Sequence, residues 1–185
     1  EHEHIVKVYA EFNDAASNQR GLVLQYVPGT NLGLVVQELF KNGQRPRLGR
    51  EILGAVDQLA KDGVEFDPAA LRDRDLFARE NYLAWVCRLG SRLAQALAYA
   101  HARGILHCDI KPANILLSRY GRPMLADFNV SVSLAVSAEG SGLGGTLLYM
   151  APEQIAAFAQ KTRTKILSVD HRADLYALAL VLLET

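Results

Sequence analysis

Four side chains in one short stretch, Asp109, Lys111, Asn114 and Asp127, are of the types needed to move a phosphoryl group onto a hydroxyl. That transfer requires an acceptor oxygen placed in line, neutralised phosphate charge, and a group that orients the acceptor and takes its proton. Magnesium supplies much of the neutralisation. It prefers hard oxygen ligands in octahedral geometry and keeps part of its water shell, so one carboxylate and one amide oxygen beside substrate phosphates suit it. Asp109 and Lys111 are two positions apart, so on an extended segment they face the same way. Asn114 and Asp127 fall at the ends of two short apolar runs, Ile115-Leu116-Leu117 and Met124-Leu125-Ala126, close enough to share a metal if those runs pair.

The elements that must position this stretch are readable from periodicity and punctuation. Residues 80 to 103 form the clearest helix: Leu83, Val86, Leu93 and Leu97 mostly keep one face, and Gly104 is a natural stop. Ile105-Leu106 and the two apolar runs read as small strands around a functional loop. Upstream, Ile5 to Phe12 alternates loosely and Gly21 to Val27 is apolar, with polar Asn13 to Arg20 between them, which predicts an antiparallel hairpin. Pro28-Gly29-Thr30-Asn31 ends the second strand, and Leu32 to Phe40 reads as a short helix. Residues 41 to 79 carry Gly43, Pro46, Gly49, Gly63, Pro68 and many charges, and read as a long loop or insertion with a helix within Ile52 to Leu59. Residues 130 to 147 are rich in serine and glycine, a composition for a mobile loop. Pro152-Glu153 opens a helix, and Ala173 to Thr185 is a buried one.

Composition limits the function classes. Lysine plus arginine number 20, as do aspartate plus glutamate, so the net charge is zero and no whole-molecule attraction draws the chain to nucleic acid or a membrane surface. The longest apolar run, Leu175 to Leu183, is far short of the roughly 20 residues that span a bilayer. Cys87 and Cys108 have neither metal-ligand nor framework spacing, which fits a reducing, cytoplasmic setting. His2, His4, His101 and His171 show no metal-ligand spacing and read as surface or packing residues.

His107-Cys108-Asp109-Ile110-Lys111-Pro112-Ala113-Asn114 resembles the catalytic loop of the eukaryotic-like serine/threonine protein kinases. Asp127-Phe128-Asn129 resembles their metal-binding Asp-Phe-Gly triplet. Gly145-Thr146 through Ala151-Pro152-Glu153 resembles the end of the activation segment, a protein-substrate platform that disfavours a small-molecule kinase. Asp174 to Leu178 resembles the start of the large lobe's buried helix. The resemblance implies an α+β protein-kinase-like fold, with residues 1–27 as the end of the small lobe and hinge strand and 28–185 as part of the large lobe, with an insertion near 41–79. It also implies roles: Asp109 as base, Lys111 on the γ-phosphate of ATP, Asn114 and Asp127 on Mg2+, and Thr146 ordering the loop around Asp109. His107 and Asp174 would brace the catalytic loop. Leu22 to Gly29 resembles the hinge, with Leu24 as gatekeeper, the backbone of Gln25 and Val27 on adenine, Leu116 as the pocket floor and Asn31 toward the ribose. The implied partners are ATP and a protein with a Ser or Thr acceptor.

Three departures qualify the resemblance. Cys108 stands where an arginine is usual, which implies activity independent of an activation-loop phosphate. Its thiol is either a packed residue or a reactive one. Asn129 replaces a glycine, a substitution that left-handed backbone tolerates. The Gly-rich loop, the strand lysine and its helix glutamate are expected before Glu1, and the helices closing the large lobe after Thr185, so this reads as an excerpt. The alternative to an active kinase is a pseudokinase, a binding or scaffold module.

Overall fold

The structure, a computed structural model, describes residues 1–14, 19–60, 71–128, 147–159 and 169–185. β1 (Val8–Asp14) and β2 (Gln19–Leu24) form the expected antiparallel hairpin, with Val8 opposite Leu24. The first strand begins later than Ile5. Ile5 instead makes a parallel bridge to Leu125, and the Val6 amide donates to the Leu125 carbonyl at 2.8 Å. The hairpin is thereby tied to a second sheet of three strands. In it, β3 (Gly29–Asn31) pairs with β4 (Ile115–Ser118), and β4 pairs with β5 (Pro123–Leu125), all antiparallel. Residues 29–31, expected as a turn, therefore form a strand. Gly29 permits this: at φ 149° it runs so close to β4 that a Cβ would sit 2.0 Å from the Leu117 carbonyl oxygen.

α1 (Leu32–Phe40) starts where Asn31 caps it, its Oδ1 accepting from the Leu34 amide at 3.0 Å. The stretch expected to be least regular holds two helices, α2 (Gly49–Leu59) and α3 (Leu71–Arg79). Its glycines and prolines mislead because Gly43, Pro46 and Gly49 sit at or before the entrance to α2 rather than inside it. Glu51 closes that entrance by accepting from the amides of Arg47 and Leu48, both at 3.1 Å. Ile52, Leu53 and Val56 then face the core together with Phe77 of α3.

α4 (Tyr82–His101) is the expected long helix, capped by Asn81, whose Oδ1 accepts from the Ala84 amide at 2.8 Å. Ile105-Leu106, expected as a strand, joins no ladder. A 3-10 turn (Leu147–Tyr149), α5 (Pro152–Ala159) and α6 (His171–Glu184) follow. α4 crosses α6 at Gly90, where a Cβ would meet the Leu182 side chain at 2.8 Å. One core holds the helices together. It includes Leu32, Val35, Ile52, Val56, Trp85, Leu89, Leu93, Leu97, Ile115, Leu117, Leu125 and Val181, all fully or nearly fully buried. At about 1.5–3 kcal/mol for each large apolar side chain buried, this cluster dominates the stability of the region that carries the loop.

Candidate active site

The loop between α4 and β4 bends sharply. Cys108 has φ 62°, a left-handed conformation that costs a non-glycine residue about 1–2 kcal/mol. The surroundings pin the peptide on both sides. Asp174, buried at the start of α6, accepts from the His107 amide at 2.9 Å with Oδ2 and from the Cys108 amide at 2.7 Å with Oδ1. The Cys108 carbonyl in turn accepts from Gln154 Nε2 at 3.0 Å. Hydrogen bonds to a charged group contribute about 1.5–3 kcal/mol each, so the Asp174 pair alone outweighs the strain.

His107 links the loop to β5. Its Nε2 lies 2.9 Å from the Ala126 carbonyl, which can only accept, so Nε2 carries the proton. Nδ1 then accepts from the Asp109 amide at 3.4 Å. Burial pushes the His107 pKa down, which keeps the ring in this neutral tautomer. Phe128 packs on the same ring, 4.5 Å between centroids. The bracing implied for His107 and Asp174 thus has a geometry. His101 also belongs to it, with Nε2 2.8 Å from Asp174 Oδ2. The sequence gives no sign of that role, because His101 lies on a helix 73 residues from its partner. Gln154 was missed for the same reason. It caps α5 through the Ala151 amide and reaches back to Cys108.

Asp109 and Lys111 come together as their spacing predicts, and Asn114 joins them. Lys111 Nζ lies 2.9 Å from Asp109 Oδ2 and 3.2 Å from Oδ1. Asn114 Nδ2 donates to both the carbonyl and Oδ2 of Asp109, each at 2.9 Å. Oδ2 therefore takes the two short contacts, and Oδ1 takes only the longer one from Lys111. Asn114 ends a 3-10 turn (Pro112–Asn114), and its carbonyl accepts from the Ala126 amide at 2.9 Å, which sets Asp127 beside it. Asp127 is exposed and, like Cys108, left-handed, with φ 60°.

The donor set suits magnesium. With Nδ2 committed to Asp109, Asn114 Oδ1 takes no hydrogen bond among the described residues, and neither does the Asp127 carboxylate. These are two hard oxygen-bearing groups without hydrogen bonds on adjacent strand ends. Thr146 and Asn129 lie outside the described residues.

The nucleotide-side residues divide into groups. Leu24 and Asp127 line one cavity of about 250 Å³, together with Val6, Val8, Ile105 and Phe128. Val27 and Leu116 pack instead on Val6, Met124 and Ala126. The Gln25 amide is spent on the Lys7 carbonyl at 2.8 Å, which leaves its own carbonyl for another donor. Asn31 Oδ1 is the cap of α1, so of its side chain only the NH2 remains for a ribose. Burial, aided by Asp174 and Asp109, raises the Cys108 pKa to about 11, which favours an unreactive thiol over a nucleophilic one.

Fold and loop together define an α+β domain with acidic, basic and amide side chains gathered on one loop, and comparisons with known proteins specify its family. The protein kinase domain model matches residues 72–185, more than half of the sequence, and the chain belongs to the protein kinase family. It is 31% identical over 83% of its length to the mitogen-activated protein kinase kinase mkk1 of Cytospora mali, covering 22% of that protein. It is 42% identical over 49% of its length to the serine/threonine-protein kinase PknJ of Mycobacterium bovis, covering 15% of that protein. The crystal structure of the Mycobacterium tuberculosis PknI kinase domain superposes over 98% of this chain and 49% of that one, with TM-score 0.51 and 25% identity. The chain thus spans about a fifth of these curated relatives and half of the solved domain.

Proposed function

We propose that this chain carries the catalytic loop and metal side of an ATP-dependent protein serine/threonine kinase, in which residues 1–27 end the small lobe and 28–185 begin the large one. The observation that carries the reading is the Asp109–Lys111–Asn114 cluster beside Asp127. Asp109 Oδ1 orients the substrate hydroxyl and accepts its proton. Lys111, already on the Asp109 carboxylate, is within a side-chain rotation of a γ-phosphate in line with that hydroxyl. Asn114 Oδ1 and Asp127 hold the metal, and Thr146 orders the loop around Asp109. Bound there with the nucleotide, Mg2+ neutralises phosphate charge. Leu24 guards the cavity, the Gln25 carbonyl and Val27 amide hold the adenine edge, Leu116 lies beneath it, and the Asn31 NH2 faces the ribose. Serine or threonine as acceptor is supported by Lys111 at its place in the loop and by similarity to serine/threonine-protein kinases such as PknJ.

A scaffold needs no such cluster, which favours an enzyme over a pseudokinase. The test uses the full-length protein, labelled ATP and peptides offering Ser, Thr or Tyr. The expected result is label on Ser or Thr only. Asp109→Asn keeps the shape but removes the base, so transfer should fall by about 10²–10⁴, with nucleotide affinity retained. Binding without transfer by the wild type would establish the pseudokinase reading instead.

A further inference from the structure

Hydrogen bonds connect the α2–α3 segment to the hinge, outside the catalytic loop. Arg74 of α3 makes the first connection. Its guanidinium donates through one NH2 to Asp57 Oδ2 on α2 and through the other to the carbonyl of Arg119, at the turn between β4 and β5. The Arg119 amide then donates to the Pro28 carbonyl at 2.8 Å. Arg119 Nε lies 3.6 Å from Asp57 Oδ1, an ion-pair contact too long for a hydrogen bond. Two neighbouring contacts fix the same turn. Phe77 of α3 lies against Gly121, where a Cβ would stand 2.7 Å from the ring and φ is 75°. The Ser118 side-chain oxygen accepts from the Arg122 amide at 3.1 Å.

Pro28 directly follows Val27 and directly precedes β3, so its carbonyl marks where the hinge becomes part of the three-stranded sheet. Arg74 and Arg119 are largely buried, with side chains 15% and 17% exposed. A planar guanidinium bridging a carboxylate and a carbonyl fixes two directions at once, which a lysine ammonium on a flexible stem does not.

We infer that Arg74 is a positioning residue for the nucleotide site: through Arg119 it locks the β4–β5 turn onto Pro28 and so sets the hinge that Val27 presents to adenine. The inference rests on the kinase reading for what the hinge binds, but its geometry is independent of the catalytic loop. Arg74 lies far along the chain from Asp109 and contacts neither it nor Asp127. The mark of this role is a change in nucleotide affinity that leaves the chemical step alone.

The experiment measures Kd for a fluorescent ADP analogue, KM for ATP and kcat for the full-length protein and its Arg74→Ala and Arg74→Lys variants. Lys41→Ala, which removes only the surface pair with Glu38, is the control. Arg74→Ala should weaken nucleotide binding and raise KM for ATP by about threefold to tenfold, with kcat and KM for the peptide within twofold. Arg74→Lys should recover thermal stability through Asp57 but only part of the affinity. This split separates positioning from folding: equal recovery of stability and affinity would overturn the inference. So would unchanged affinity in a folded Arg74→Ala protein, or a matching rise in peptide KM. A wild type that binds no nucleotide would overturn the kinase reading and this inference with it. A wild type that binds, with variants that bind equally, would overturn this inference alone.

Discussion

Cys108 has a side chain suited to nucleophilic chemistry and a place beside the proposed base, but its environment removes that capacity. Burial and the two neighbouring carboxylates raise its pKa to about 11, so at pH 8 the protonated thiol predominates. Cys87 is exposed on α4. Iodoacetamide at pH 8 should therefore alkylate Cys87 in the folded protein and leave Cys108 intact until denaturant is added, as peptide mass mapping would show. Modification of both at equal rates would contradict the burial described here. What Cys108 does contribute is a backbone: its left-handed peptide is held by Asp174 and Gln154.

Asp174 illustrates how one element fixes another. Its carboxylate, at the first turn of α6, receives two loop amides and the His101 ring. Asp174→Ala strands those buried donors at about 1–3 kcal/mol each, so a loss of at least about 3 kcal/mol is expected in urea unfolding. Asp174→Asn should lose less. The same packing explains what the sequence showed and what it concealed. The hairpin, α1 and α4 were legible because apolar period and cap residues such as Asn81 coincide there. Asp109, Lys111 and Asn114 were legible because their contacts are local, spanning two to five residues. α2 is legible over Ile52 to Leu59 from its helical spacing, whereas its start at Gly49 and the whole of α3 read as loop because Pro46 and Gly49 punctuate the entrance and charges crowd Leu71–Arg79. The partnerships of His101 with Asp174 and of Arg74 with Arg119 cross 73 and 45 residues, and nothing in local spacing announces them.

At the scale of the whole molecule, two buried histidines, His4 and His107, contribute to the response to mild acid. His4 donates from Nδ1 to the Pro123 carbonyl at 2.8 Å, and His107 donates to Ala126. Burial lowers both pKa values below 6.5. Above about pH 6.5 both groups are neutral in folded and unfolded chains, and neither costs stability. Below it the unfolded chain takes up protons that the folded one refuses. Stability therefore declines as pH falls from 6.5 toward the folded values, by up to about 1.4 kcal/mol per pH unit for each ring. Urea midpoints from pH 8 to 5 should show a plateau and then this decline, and His4→Gln with His107→Gln should flatten it. Among the described residues no helix is long and apolar enough to cross a membrane.

The sequence holds one tryptophan, and the core places it where two helices meet. Trp85 is 1% exposed on α4, with the Phe77 ring of α3 edge-on at 6.5 Å and Tyr82 at 5.7 Å. An indole so enclosed emits at short wavelength, and its emission will move to the red when α3 lifts away. The protein thus contains its own optical gauge of α3 docking, which can be read during nucleotide titrations without a label on the hinge.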